Sequence, residues 1–327
     1  MSGVQNMTVK PDEDGMRLDR WFKVHFPGVR HGELEKYLRK GQVRVARGRV
    51  KASRPLVIGE EIRIPPLQDD ATRAAPKRPS TISRKDAAAF IKNITIFEDD
   101  HILAINKPFG LAVQGGTKTR EHVDGFLEAL SHDNDRPRLV HRLDRDTGGL
   151  LLLAKTRRAA QRLGDAFQGH KVEKDYWALV VGAPRPREGT IDMPVAKRMV
   201  RMREQVVPAE GEGAKKAISD YQILDEAGDR LALLALRPIT GRTHQLRVHC
   251  AAIECPVVGD GKYGGAEAHV EGMAGKLHLF CRAMSFPHPG TGRMMELKAP
   301  LTAHMREVFS FFNFDEDVVY SWPDDLR

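Results

Sequence analysis

Residues 141–155 set Asp144 and Asp146 in a charged stretch, follow them with Gly148 and Gly149, and run on through Leu150, Leu151, Leu152, Leu153 and Ala154 to Lys155. The glycines allow a sharp turn and the close approach of another backbone. Five apolar residues in a row are too few to cross a membrane, and they predict a strand buried on both faces. A carboxylate at the mouth of such a strand stands on rigid support, which is where an enzyme needs a reacting group. From residue types alone, a polar turn capped by Asp144 or Asp146 accounts for the stretch equally well.

At 327 residues the chain suits two domains of about 100–200 residues each. Its formal net charge of +8 points to a polyanionic partner, and residues 1–65 alone hold 14 Lys and Arg against 8 Asp and Glu. Cys250, Cys255 and Cys281 form no Cys-x-x-Cys pair, and an odd number makes a poor disulfide framework. Adjacent His249 and Cys250 are badly spaced to share one metal, so no metal site is expected. With no apolar leader and no run near the ~18 residues that a spanning helix needs, a soluble, cytoplasmic protein without membrane contact is expected.

Leu18, Trp21, Phe22 and Phe26 recur at helical spacing, and Leu34, Tyr37 and Leu38 line a second short helix that Gly41 ends. The alternation from Gln42 to Val45 and again from Glu61 to Ile64 predicts two short strands. No acid occurs between Lys36 and Arg54, so this small module, residues 14–66, can offer Arg39, Lys40 and Arg44 to a phosphate backbone. Residues 67–90 are expected to be a flexible linker, residues 91–312 the main domain and 313–327 a tail. Within the main domain, residues 94–97 and 102–106 read as strands, Lys107-Pro108-Phe109-Gly110 as a turn, and residues 176–181 as a central strand. Thr156 is placed to cap a helix carrying Ala160, Leu163 and Phe167. Residues 197–203 form a second basic cluster in a hairpin or loop, either solvated or RNA-contacting.

The string His141-Arg142-Leu143-Asp144, two further residues, Thr147, Gly148, Gly149 and an apolar strand resembles the active-site motif of the RluA-type pseudouridine synthases. The one departure is Gly148, where the family has serine. Lys174-Asp175-Tyr176 ahead of a central strand, and the string from Arg237 to His249, match the same family in the same order. The Tyr37 to Val45 string resembles the small RNA-binding module first known from a small-subunit ribosomal protein. The linked module, Asp144 to Thr147 and His288 to Gly292 look most like the RluC subtype, which modifies large-subunit ribosomal RNA.

The resemblance implies an α+β catalytic domain with a mixed, largely antiparallel sheet, preceded by the small α/β module. It makes Asp144, and not Asp146, the catalytic aspartate. Tyr176 would pack on the target uracil, where a lone strand tyrosine would otherwise be read as core. Arg247 would pair with the aspartate; the residues alone do not choose between Arg242 and Arg247. Arg142 would fill the gap left by a flipped uridine. His141, His244 and His249 are read as structural hydrogen bonders and Asp260 as structural. Isomerising uridine breaks the N1–C1′ bond and rejoins the base through C5 with no atom gained or lost, so no cofactor is expected. A carboxylate can attack covalently, stabilise charge on the sugar or remove a ribose proton. The expected partner is ribosomal RNA, of the large subunit or its precursor, bound by a monomer. The alternative is a non-catalytic RNA-binding ribosome-assembly factor, but a relic of that kind could have lost Asp144, Tyr176 or Arg247, and all three remain.

Overall fold

A computed structural model describes residues 3–67, 82–115, 121–130, 136–200 and 202–323. The chain divides into two compact units, Met1–Pro79 and Ser80–Arg327.

In the first unit, α1 (Leu18–His25) and α2 (His31–Arg39) lead into a three-stranded antiparallel sheet of order β1-β3-β2, formed by β1 (Gln5–Thr8), β2 (Arg44–Val45) and β3 (Glu61–Ile64). Its core is Leu18, Trp21, Phe22, Leu34, Val43, Ile62 and Ile64, and the buried Trp21 indole donates to Glu13 at 2.9 Å. Gly41 ends α2 with φ +67°, a conformation that glycine adopts without strain. The apolar positions are used inward, so Arg39, Lys40 and Arg44 stand exposed.

The second unit is built on one ten-stranded sheet. Its strands are β4 (Thr95–Glu98), β5 (Ile102–Lys107), β6 (Arg138–Leu139), β7 (Gly148–Ala154), β8 (Glu173–Val181), β9 (Glu188–Asp192), β12 (Ile218–Ala227), β13 (Leu231–Pro238), β14 (Leu279–Pro287) and β15 (Met294–Lys298). The main path runs β4-β5-β7-β14-β8-β13-β12-β9, with β6 on β7 and β15 on β14. Every pairing is antiparallel except β7 with β14, so the sheet is mixed and largely antiparallel as expected. All of β7 is buried, as its leucine run predicts. A separate hairpin joins β10 (Val195–Val200) to β11 (Arg203–Pro208), which makes the second basic cluster a hairpin; Arg201 lies outside the described residues. Among the described residues no helix is long and apolar enough to cross a membrane.

Helices α3 (Arg84–Ile94), α4 (Val123–Leu130), α5 (Arg157–Gln168), α6 (Gln245–Ala252) and α7 (Ala303–Phe312) complete the unit. Two boundaries differ from expectation. Residues 84–90, assigned to the linker, belong to α3. The Ser83 hydroxyl caps this helix by accepting from the Asp86 N–H, and Ala87, Phe90, Ile91 and Ile94 give it an apolar stripe. Of the rest of that linker, residues 68–81 lie outside the described residues. The tail beyond residue 312 is also part of the domain. Phe314 and Trp322 are core side chains, and Tyr320 accepts a hydrogen bond from the Trp177 indole at 3.3 Å.

Candidate active site

Asp144 sits in the turn that feeds β7, and three features fix that turn. Leu143 is buried in the core. The fully buried Lys107, at the end of β5, donates to the carbonyls of Pro108 (3.0 Å), Leu111 (2.8 Å) and Arg145 (3.0 Å). Burial lowers this ammonium to about 7, against the pull of Asp146 and Asp144. The third feature is Gly149, at φ +106° beside the β14 backbone, where a Cβ would collide with the Cys281 carbonyl. Gly148 is different: a Cβ there would meet Lys107, Phe280 and Thr302 at ordinary contact distance, 3.4 Å. The turn therefore has room for a Cβ at position 148, where the family has serine.

The neighbouring His141 is structural. Its Nε2 accepts the Leu152 N–H at 2.8 Å and its ring stacks on Phe167, so the imidazole is neutral. Burial, with Lys174 nearby, pulls it down to about 3.

Tyr176 comes from β8, opposite Cys281 of β14, and is 9% exposed. Burial, Cys281 and Asp144 together push its phenol well above the usual range, so it stays protonated. Arg247 comes from α6. The loop before α6 is pinned by Gln245, whose amide donates to the Ile218 carbonyl and Ser219 Oγ and accepts from Thr240 Oγ1 and the Arg242 N–H.

Asp144, Tyr176 and Arg247, from three distant strings, line one cleft of about 730 Å³, with Arg142 among its other lining residues. Asp144 and Arg247 also line a smaller cavity of about 370 Å³, so the carboxylate stands where two spaces meet.

One expected contact is different. The carboxylate that Arg247 grips is Asp260, not Asp144: Nε and Nη2 each donate to it at 2.7 Å. Asp260 is fully buried, and a buried carboxylate demands full hydrogen bonding; it also accepts from the Lys262 and Tyr263 N–H groups. Burial opposes the charge on Arg247, but the Asp260 bonds outweigh it and hold the guanidinium above its usual range. Asp144 acts on Arg247 through space and makes no direct ion pair with it.

One close neighbour of Asp144 is a histidine expected to be a structural hydrogen bonder. His244 Nε2 lies 3.8 Å from Asp144 Oδ2, and its Nδ1 is 2.7 Å from the Tyr263 hydroxyl. His244 holds a left-handed φ of +53° at the start of α6, and burial pulls its imidazole below the usual value against the attraction of Asp144. A left-handed non-glycine residue at a helix start points to a functional constraint, but it has no sequence signature. His249, by contrast, makes the expected structural bond, to the Met193 carbonyl at 3.0 Å.

Arg142 is exposed at the cleft, its Nη1 a long 3.5 Å from Gln114 Oε1. Arg39, Lys40 and Arg44 belong to the other unit. Among the described residues no three His, Cys, Asp or Glu side chains are grouped to hold a metal ion.

Residues 101–252 match the family described as RNA pseudouridylate synthase. The chain is 36% identical over 307 residues to ribosomal large subunit pseudouridine synthase C of Yersinia pestis, covering 93% of this chain and 94% of that protein. It is 36% identical over 304 residues to the protein of the same name from Escherichia coli K12, covering 91% and 93%. Among solved structures, human RNA pseudouridylate synthase domain containing 4 superposes with a TM-score of 0.58 at 25% identity, over 70% of this chain and 97% of its own. With its three matching strings gathered in one cleft and its likeness to these proteins running nearly end to end, the chain belongs to the RNA pseudouridine synthase family and is an isomerase that converts uridine in RNA to pseudouridine.

Proposed function

We propose that the substrate is uridine in large-subunit ribosomal RNA and that Asp144 is the catalytic group. The observation that carries this reading is the meeting of Asp144, Tyr176 and Arg247 in one cleft, from segments far apart in sequence. The names of the relatives, which act on the large ribosomal subunit, support the choice of RNA.

In this reading the target nucleotide leaves the RNA stack, with Arg142 entering the gap behind it. Its uracil lies against Tyr176, which brings the glycosidic bond to Asp144. The Asp144 carboxylate promotes cleavage of N1–C1′, by attack on the sugar, by stabilising its positive charge or by removing a ribose proton. The base turns and rejoins through C5; the C5 proton leaves and N1 takes one up. Arg247, fixed by Asp260, supplies positive charge to the cleft beside Asp144. His244 is the other neighbour of the carboxylate and, held neutral by burial, adds no competing charge. Arg39, Lys40 and Arg44 bind RNA phosphates, and the protein works in the cytoplasm as a monomer.

Mapping pseudouridine across ribosomal RNA from cells with and without the protein tests the substrate. Loss of specific large-subunit sites supports the reading. Unchanged ribosomal RNA, with sites lost from transfer RNA instead, overturns it.

A further inference from the structure

Lys174 is a half-buried cleft residue whose ammonium the fold leaves without a partner. It stands two residues before Tyr176 on β8, so the two side chains share one face of the strand, and both line the 730 Å³ cleft. Its flanking residues are committed elsewhere. Asp175 takes two bonds from Arg237, at 2.8 and 3.0 Å, and Glu173 pairs with the same guanidinium at 3.1 Å. The Lys174 ammonium itself makes no hydrogen bond or ion pair among the described residues. Its surroundings include the neutral His141 and the buried Cys281 thiol, and burial pulls its ammonium below the usual lysine range. The contrast with Lys107 is direct: that lysine is fully buried, and three carbonyls receive its protons.

An ammonium partly withdrawn from water without a partner lowers stability, and folds retain such groups where a ligand supplies the missing charge. The cleft's own carboxylates do not supply it, because Glu173 is held by Arg237 and Asp144 makes no ion pair with Lys174. Uracil carbonyls are neutral and cannot balance a cation. In a target uridine, the only anionic groups are the two phosphodiesters that flank it, and an ammonium meets a phosphate well as a point charge. Arg142 and Arg242, both exposed, line the same cleft, so an RNA strand entering there meets positive charge on its way to Lys174.

We propose that Lys174 is a phosphodiester-binding residue of the cleft, holding one of the two phosphates that flank the target uridine; this rests on the RNA-isomerase reading above. The contact ties the strand to the same edge of β8 that presents Tyr176, so backbone and base are fixed by one element.

The test uses the full-length protein and an RNA hairpin whose uridine the wild type converts, scored by release of tritium from C5. A failed result then speaks against the phosphate contact and not against isomerisation. Two modified hairpins carry a neutral methylphosphonate, one at each flanking linkage. Lys174→Met should bind the native hairpin about ten- to hundred-fold more weakly, as loss of a charge-assisted contact implies. One methylphosphonate should weaken the wild type by a similar factor, and Lys174→Met should then lose little more. Free of RNA, the variant should melt at a higher temperature than the wild type, since an unpaired charge has gone. Additive losses at both linkages, or a lower melting temperature for the free variant, would overturn the proposal.

Discussion

Replacing Asp260 by asparagine leaves the guanidinium of Arg247 buried with half its support. The wild-type pair is bidentate at 2.7 and 2.7 Å, with Asp260 fully buried and Arg247 8% exposed. Removing one partner of such a pair lowers stability by about 3–5 kcal/mol, because the other charge stays buried. The amide oxygen still accepts one bond, so the low end applies, about 3 kcal/mol. For a unit the size of Ser80–Arg327, that corresponds to a fall in melting temperature of about 6–12 °C. Activity should fall by more than stability explains. The hydrogen bonds that aim Arg247 go to Asp260, and about 1 Å of misplacement can reduce turnover ~10²-fold. Calorimetry and tritium release under single-turnover conditions, both well below the melting point, separate the two effects. Replacing both partners, as Arg247→Met with Asp260→Leu, should recover much of the lost stability and none of the activity. An Asp260→Asn protein with unchanged melting temperature and turnover would refute the claim that this carboxylate holds Arg247.

Gly149→Ala should destabilise the catalytic unit strongly, since its Cβ would run into the Cys281 backbone at a φ of +106°, whereas Gly148→Ser should change its melting temperature little; equal effects in thermal melts would contradict the packing described. Neutral His141 has a folded value of about 3, below its unfolded value, so its contribution is full above about pH 6.5 and is lost as pH falls toward 3. His141→Gln, which can still accept the Leu152 N–H, should flatten the acid limb of denaturant-measured stability by up to about 1.4 kcal/mol per pH unit; an unchanged limb would show that His141 titrates normally. Changing Arg39, Lys40 and Arg44 together to alanine should lower the slope of log affinity against log salt by about 2–3 if each cation meets one phosphate, and filter-binding titrations at several salt concentrations would show an unaltered slope if they do not.

What the sequence made legible was local. The leucine run of β7, the glycine at 149 and the capping threonine of α5 carry their physics within a few residues, and each stands where it was expected. The start of α3 was hidden because its apolar stripe begins at Ala87, after a stretch of prolines and alanines with no period. Phe314 and Trp322 joined the core without forming any periodic pattern, so the tail looked detached. The partnerships that aim the site have no local signature. Lys107 reaches a carbonyl 38 residues away and Arg247 a carboxylate 13 residues away, and only the folded sheet brings these groups together. The nearness of His244 to Asp144 has no local signature for a related reason: the two lie 100 residues apart in sequence.

The central claim is that one carboxylate in the turn before β7 does the chemistry. Asp144→Asn keeps the side-chain shape but removes the charge, the nucleophile and the base; Asp146→Asn makes the same change two residues away in the same turn. Tritium release from C5-labelled RNA, with binding measured in parallel, should show no turnover for Asp144→Asn with RNA affinity nearly intact, and most of the wild-type rate for Asp146→Asn. Turnover by the Asp144→Asn protein, or equal loss in both variants, would contradict the account.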